Sequence, residues 1–200
     1  IQLNNVSYHY PSATRPALKQ ITLAIQAGEK IAIIGPSGSG KSTLLQLLMK
    51  ELRRTDGEFL IGAHPIDAIC THSIYAHMST MLQHNHFFSG TVKGNLRLAK
   101  PDATDEALQT ALNQAALDKK LDDPIFEKGG NLSGGEKQRL AFARLLLKES
   151  DLWLVDEPFT SLDVQTEDTL FHTLLSQAAA KTLLMVTHKL TNLDQFDRIY

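Results

Sequence analysis

The segment Gly35-Pro-Ser-Gly-Ser-Gly-Lys41-Ser42 constrains this chain more than any other. Its glycines let the backbone curl until successive N–H groups point at one centre. Lys30 to Ile34, just before it, is a short apolar run, as a buried strand reads. After it, Leu44, Leu45, Leu47 and Leu48 fit a helix that begins at Lys41. A strand, a glycine-rich turn and a helix in that order make a cradle for phosphate. The turn supplies inward N–H groups, and the helix adds roughly half a positive charge at its N-terminus. The candidate phosphate-binding residues are Gly35, Pro36, Ser37, Gly38, Ser39, Gly40, Lys41, Ser42 and Thr43. Lys41 is placed to reach β- and γ-phosphates, and the Ser42 hydroxyl to ligate Mg²⁺. A plain Gly/Ser-rich turn would share the composition but not the flanking strand and helix.

A second apolar run, Leu152-Trp-Leu-Val-Asp156-Glu157-Pro158, ends in two acids. Parallel strands bring their C-terminal ends to one edge, where ligands bind. Asp156 is therefore expected beside the phosphate cradle, holding Mg²⁺ through water. Glu157 is the candidate to polarise an attacking water. A solvated pair of acids before a proline is the alternative, and the phosphate cradle weighs against it. Trp153 reads as core.

The remaining pattern is α/β. Gln2 to Tyr8 and Leu18 to Ile25 alternate apolar and polar residues, as half-buried antiparallel strands do. Glu58 to Ile61 and Met78 to Leu82 are further strands, and Thr182 to Val186 is a buried one. From about Thr91 to Gly130 the pattern turns helical, with Asp105 and Glu106 opening one helix. This stretch is expected to be an inserted helical subdomain. Ser133 reads as the N-cap of a helix through Leu146, with Glu136 three residues on, and Val164 to Ala179 as another helix. Strands alternating with helices argue for a mainly parallel sheet core covered on both faces, beside an N-terminal antiparallel β subdomain. The 200 residues are expected to form one domain.

Composition excludes more than it selects. A net charge of −2 gives no electrostatic reason to expect nucleic acid as a partner. Cys70 is the single cysteine, which rules out an internal disulfide and fits a reducing compartment such as the cytosol. No run approaches the ~20 apolar residues that span a bilayer, and the N-terminus has no basic, signal-like start. The final residues, Asp197-Arg198-Ile199-Tyr200, look like the start of a strand, so a truncated C-terminus is expected.

Leu132-Ser133-Gly134-Gly135-Glu136-Lys137-Gln138-Arg139 resembles the signature motif of ABC ATPases, and all three motifs stand in that family's order. The resemblance implies a P-loop NTPase fold and several roles. Tyr10 is similar to the aromatic residue that stacks on adenine, with a Tyr-Pro turn as the alternative. Gln83 is similar to the glutamine that ligates Mg²⁺ and senses the γ-phosphate. Ser161-Leu162-Asp163 resembles the D-loop, which crosses to a partner. His188, just past Thr182 to Val186, resembles the switch histidine at the γ-phosphate. Ser133, Gly134, Gly135 and Glu136 are implied to form the second wall of a partner's ATP site. The other seven histidines read as ordinary; His84 and His86 flank Asn85, but nothing supplies further metal ligands at a suitable spacing.

Two stretches narrow the resemblance to exporters. Phe87-Phe88-Ser89-Gly90-Thr91-Val92-Lys93-Gly94-Asn95-Leu96 is similar to the exporter run that meets the coupling helix of a transmembrane domain. Core packing is the alternative for Phe87 and Phe88. Glu127-Lys128-Gly129 resembles the element exporters carry before the signature, although Phe126 stands where they usually have glycine. Pro16-Ala-Leu-Lys-Gln-Ile-Thr-Leu, Thr43-Leu-Leu-Gln-Leu-Leu and Leu184-Met-Val-Thr-His188-Lys-Leu are similar to CydC-type subunits of thiol exporters. The resemblance implies an ATPase at the cytoplasmic face of the cell membrane, partnered by a second nucleotide-binding domain, in a homo- or heterodimer, and by a transmembrane domain. A soluble, non-transport ABC ATPase is disfavoured by the lack of long insertions and basic surface. A regulatory half that binds ATP without turnover is disfavoured by the intact Glu157 and His188.

Overall fold

The computed structural model describes residues 1–11 and 13–200. Two large sheets and one two-stranded pair lie among the described residues. The first is antiparallel, in the order β2-β1-β4-β5, from β1 (Gln2–Tyr8), β2 (Leu18–Ala24), β4 (Asp56–Ile61) and the two-residue β5 (His64–Pro65). The second is all parallel, in the order β11-β3-β10-β9-β6. It comprises β3 (Lys30–Ile33), β6 (Met78–Met81), β9 (Leu152–Asp156), β10 (Thr182–Val186) and β11 (Arg198–Ile199).

The inner strands β3, β9 and β10 are apolar along most of their length because each is covered on both faces, whereas the edge strands β6 and β11 carry Ser79, Thr80 and Arg198. Side chains alternate across a strand. Ala32, Trp153, Val155, Leu183 and Met185 accordingly enter one hydrophobic cluster. Ile31, Ile33, Leu154, Leu184 and Val186 enter the other. The first cluster is covered by α5 (Gly134–Leu147) and α6 (Val164–Gln177), with α3 (Val92–Arg97) and α4 (Asp105–Gln114) beyond. The second is covered by α1 (Lys41–Leu48) and the inner face of the antiparallel sheet. The short α2 (Thr71–Ala76) leads into β6.

Residues 91–130 are less helical than their pattern implies. Only α3 and α4 are α-helical there, joined by a loop through Pro101, and residues 116–123 have no regular element. Gly90–Thr91 (β7) instead pairs antiparallel with Pro124–Ile125 (β8), which closes the base of the segment. Pro101 and Pro124 interrupt helix, and Gly129 takes a positive φ of 65°. The starts of α4, α5 and α6 are set by local capping: Thr104, Ser133 and Asp163 each accept a backbone N–H with the side chain.

Candidate active site

Parallel pairing sets the carboxyl ends of β3, β9 and β10 side by side. Main-chain bonds extend the ladder past the strands: Glu157 N–H donates to the Val186 carbonyl at 2.9 Å, and Thr187 N–H to the Ile33 carbonyl at 3.0 Å. The glycine-rich loop after β3, the acids after β9 and His188 after β10 therefore converge on one cleft of about 600 Å³. Its lining contains Tyr10, Gly35, Pro36, Ser37, Gly38, Gly40, Lys41, Ser42, Thr43, Gln83, Asp156, Glu157 and His188.

The loop is shaped by its contacts as well as its glycines. Gly40 has φ 97°, and a Cβ there would stand 2.6 Å from the Ala17 carbonyl oxygen and 2.7 Å from Leu18 Cδ2. The loop thus packs directly against the entry to β2, which brings Ala17 into the cleft wall. Ala17 carries no chemical signal in the sequence and is not among its candidates. Ser39 lies outside the cleft wall, its N–H donating to the Pro36 carbonyl at 3.2 Å.

Lys41 folds back over its own loop. Its Nζ donates to the Gly35 carbonyl at 2.7 Å and the Pro36 carbonyl at 3.0 Å. One residue on, Ser42 Oγ donates to Asp156 Oδ2 at 3.4 Å, joining the start of α1 to the end of β9. Asp156 is buried, and burial first, then the adjacent Glu157 charge, raises its pKa above the ordinary carboxylate value. The Ser42 hydrogen bond, Lys41 and His84 oppose that shift. Hydroxyl, carboxylate and amide oxygens in one cleft, with a buried carboxylate short of compensating charge, are the donor set that suits a hard divalent cation such as Mg²⁺. His188 Nδ1 lies 3.2 Å from Glu157 Oε1. Glu157 itself takes a positive φ of 46°.

Tyr10 is held from two sides. Its hydroxyl meets Thr43 Oγ1 at 3.2 Å and donates to Gln46 Oε1 at 3.3 Å, both on α1. Its ring stands edge-on to Tyr8, with centroids 4.9 Å apart.

The signature residues sit elsewhere. Ser133, Gly134, Gly135, Glu136 and Asp163 do not line the cleft. Ser133 and Glu136 close a reciprocal cap: Glu136 N–H donates to Ser133 Oγ at 3.2 Å, and Ser133 N–H to Glu136 Oε2 at 2.8 Å. The other Glu136 oxygen pairs with Lys119 Nζ at 2.9 Å. The Lys119 hydrogen bond, then the Ser133 N–H, holds the Glu136 pKa below its usual value. Asp163 Oδ1 accepts Thr166 N–H at 3.0 Å, capping α6.

Sequence reasoning did not find Arg144, near the end of α5. Burial lowers its pKa to about 10. It donates to the Asn95 carbonyl at 2.8 Å, to Asn95 Oδ1 at 2.6 Å and to the His86 carbonyl at 2.6 Å. The guanidinium also lies 4.7 Å from the centroid of the buried Phe87 ring. Asn95 in turn bonds the backbone of Phe88 at both N–H and carbonyl. The loop after Gln83 is thereby tied to the signature helix, while the Phe88 and Phe126 rings are 62% and 60% exposed. Phe87 takes the core position and Phe88 does not.

Known proteins resemble this chain along its whole length. A family model described as "ABC transporter" matches residues 18–160. The chain is 42% identical, over its whole length, to the glutathione/L-cysteine transport system ATP-binding/permease protein CydC of Escherichia coli (strain K12). It is 36% identical, also over its whole length, to a putative multidrug export ATP-binding/permease protein of Staphylococcus aureus. It spans 36% of the length of each of these relatives. Among solved structures, a bacterial Atm1-family ABC exporter with ATP bound superposes with a TM-score of 0.91 at 31% identity, over 99% of this chain and 36% of that one. The chain therefore belongs to the ABC transporter family, as an ATP-binding, ATP-hydrolysing domain of the exporter type.

Proposed function

We propose that this domain is the motor of a membrane exporter, turning ATP binding and hydrolysis into movement of a membrane domain. The observation that carries the reading is the meeting of Lys41, Ser42, Asp156, Glu157 and His188 in one cleft, with the signature residues outside it. Tyr10 offers its ring to adenine. The loop N–H groups and Lys41 bind the β- and γ-phosphates, Lys41 exchanging its own carbonyl partners for phosphate oxygens. Ser42, Asp156 and Gln83 would hold Mg²⁺, which when bound offsets charge on the phosphates. Glu157 orients water for in-line attack and takes its proton, and His188 holds Glu157 in place. Asp163 meets the partner through the D-loop.

The second wall of each site comes from Ser133, Gly134, Gly135 and Glu136 of a partner domain. The capped N-terminus of α5 presents unpaired N–H groups suited to a γ-phosphate. The exposed Phe88 and Phe126 rings form the surface that meets the membrane domain, at its cytoplasmic side. No helix among the described residues is long and apolar enough to cross a membrane, so that part of the function falls to other residues or another chain. The likeness to CydC makes a glutathione- or cysteine-type thiol the first substrate to try.

Gel filtration and an ATPase assay with the Glu157→Gln variant test the reading. An ATP-dependent shift to a long-lived dimer, with turnover lost, is the expected result. A stable dimer without nucleotide, or no shift with ATP in the presence of the natural partner, would overturn it.

A further inference from the structure

The D-loop of this chain is fastened to its own signature helix. Gln138, half-buried on the second turn of α5, uses both ends of its amide. Nε2 donates to Thr160 Oγ1 at 3.0 Å, and Oε1 accepts Ser161 N–H at 2.9 Å. Ser161 N–H has only hydrogen to offer, so the amide orientation is fixed by its partners. One turn further along α5, the buried Phe142 ring meets the buried Phe159 ring edge-on, centroids 5.3 Å apart.

Two glycines let the loop lie directly on the helix. A Cβ at Gly135 would stand 2.9 Å from Leu162 Cδ2 and 3.3 Å from the Ser161 carbonyl oxygen. At Gly134 it would stand 3.3 Å from the Ser161 side chain. Residues 159–162 are thus pinned along one face of α5. They follow directly on Glu157 and Pro158. The path from the N-terminus of α5 to the Glu157 carboxylate is therefore short and made of packed or hydrogen-bonded groups.

Resting on the function proposed above, we propose that Gln138 is a positioning residue through which contact of a partner's ATP with this chain's signature sets this chain's own Glu157. The two elements implied to face the partner, signature and D-loop, then move as one body. Occupancy of one site reaches the catalytic carboxylate of the other through Gln138, Thr160 and Ser161. Ser133 and the glycines act on the neighbouring site, and Gln138 acts at home.

The test uses the complete gene product, with its natural partner if it has one, and two substitutions. Gln138→Met keeps length and removes both hydrogen bonds. Gln138→Glu accepts from Ser161 N–H and from the Thr160 hydroxyl, so it remakes both. For Gln138→Met we expect kcat to fall about tenfold while ATP affinity stays within about twofold of wild type. Amide exchange at Ser161 should quicken while the amides of α5 keep their protection. Gln138→Glu should restore kcat to within about threefold of wild type and slow the Ser161 amide again. A Gln138→Met protein with wild-type kcat, or one that loses kcat and ATP affinity together, would overturn the proposal, as would failure of Gln138→Glu to recover. If the wild-type protein itself neither binds nor hydrolyses ATP, the function proposed above fails; if it does both and Gln138→Met matches it, only the role of Gln138 fails.

Discussion

His188 Nδ1 stands 3.2 Å from Oε1 of Glu157, so residues just past the ends of two neighbouring strands, β10 and β9, meet side chain to side chain in the wall of the nucleotide cleft. Glu157 occupies a left-handed backbone conformation, which costs a non-glycine residue ~1–3 kcal/mol and is met most often at functional sites. His188→Ala releases the carboxylate while leaving the phosphate loop intact. We expect a loss of turnover of about 10²-fold or more, with ATP affinity within a few-fold of wild type. Single-turnover kinetics beside equilibrium binding separate the two; a matching loss of both would mean that His188 serves binding alone.

Lys41→Ala removes the ammonium that the Gly35 and Pro36 carbonyls now hold over the loop. We expect ATP binding or turnover to be largely abolished, because among the described residues Lys41 is the one lysine or arginine that lines the cleft. Calorimetry with ATP measures this. Binding and turnover within about twofold of wild type would show that the loop N–H groups suffice.

Tyr10→Ala is expected to weaken nucleotide binding by ~1–3 kcal/mol, the scale of base–aromatic stacking. Tyr10→Phe keeps the ring and gives up the hydroxyl's contacts to Thr43 and Gln46. It should bind nearly as wild type. Equal losses in the two variants would move the role of Tyr10 from ring to hydroxyl.

Asp156 gives a pH-dependent expectation. Its raised pKa, caused first by burial and then by Glu157, means that the folded state holds this proton more tightly than the unfolded chain. The native state therefore binds more protons between the unfolded and the folded value. Stability from this group falls as pH rises through that window. Asp156→Asn removes the penalty. Without nucleotide its Tm should exceed wild type near neutral pH, by roughly 2–4 °C for each kcal/mol recovered. The gain should vanish in strongly acidic solution, and Mg²⁺-dependent turnover should be lost. Thermal scans across pH check the sign; a neutral-pH Tm at or below wild type would contradict it.

Arg144→Lys preserves charge but cannot reach three acceptors from one fork. Leaving Asn95 or His86 carbonyl groups unmet is expected to cost ~1–3 kcal/mol. Denaturant unfolding measures it, and an unchanged midpoint would assign the site's stability to Phe87 packing.

The nucleotide cleft was legible because its parts carry local patterns. A glycine-rich turn after an apolar run, and two acids ending another, place themselves once parallel strands are assumed; α1 starts at Lys41 as its pattern implies. What the sequence hid depends on distant pairs. Arg144 and Asn95 are 49 residues apart, and Gln138 and Ser161 are 23 apart. A lone arginine or glutamine on a helix gives no sign of which backbone it will meet. The β7–β8 pair and α2 are too short to show a period, and Gly90–Thr91 finds Pro124–Ile125 only through folding of the residues between.

The anchoring of Arg144 has a consequence for how such a domain diversifies. Of its hydrogen bonds, those to His86 and to the Asn95 carbonyl fall on main-chain oxygens, which every amino acid supplies. Side-chain identity at 86 and 88, both held through the main chain, can then change without slackening the fastening beneath. The tether thus divides its demands: it asks for asparagine at 95 and an aromatic ring at 87, and at 86 for nothing but a peptide bond.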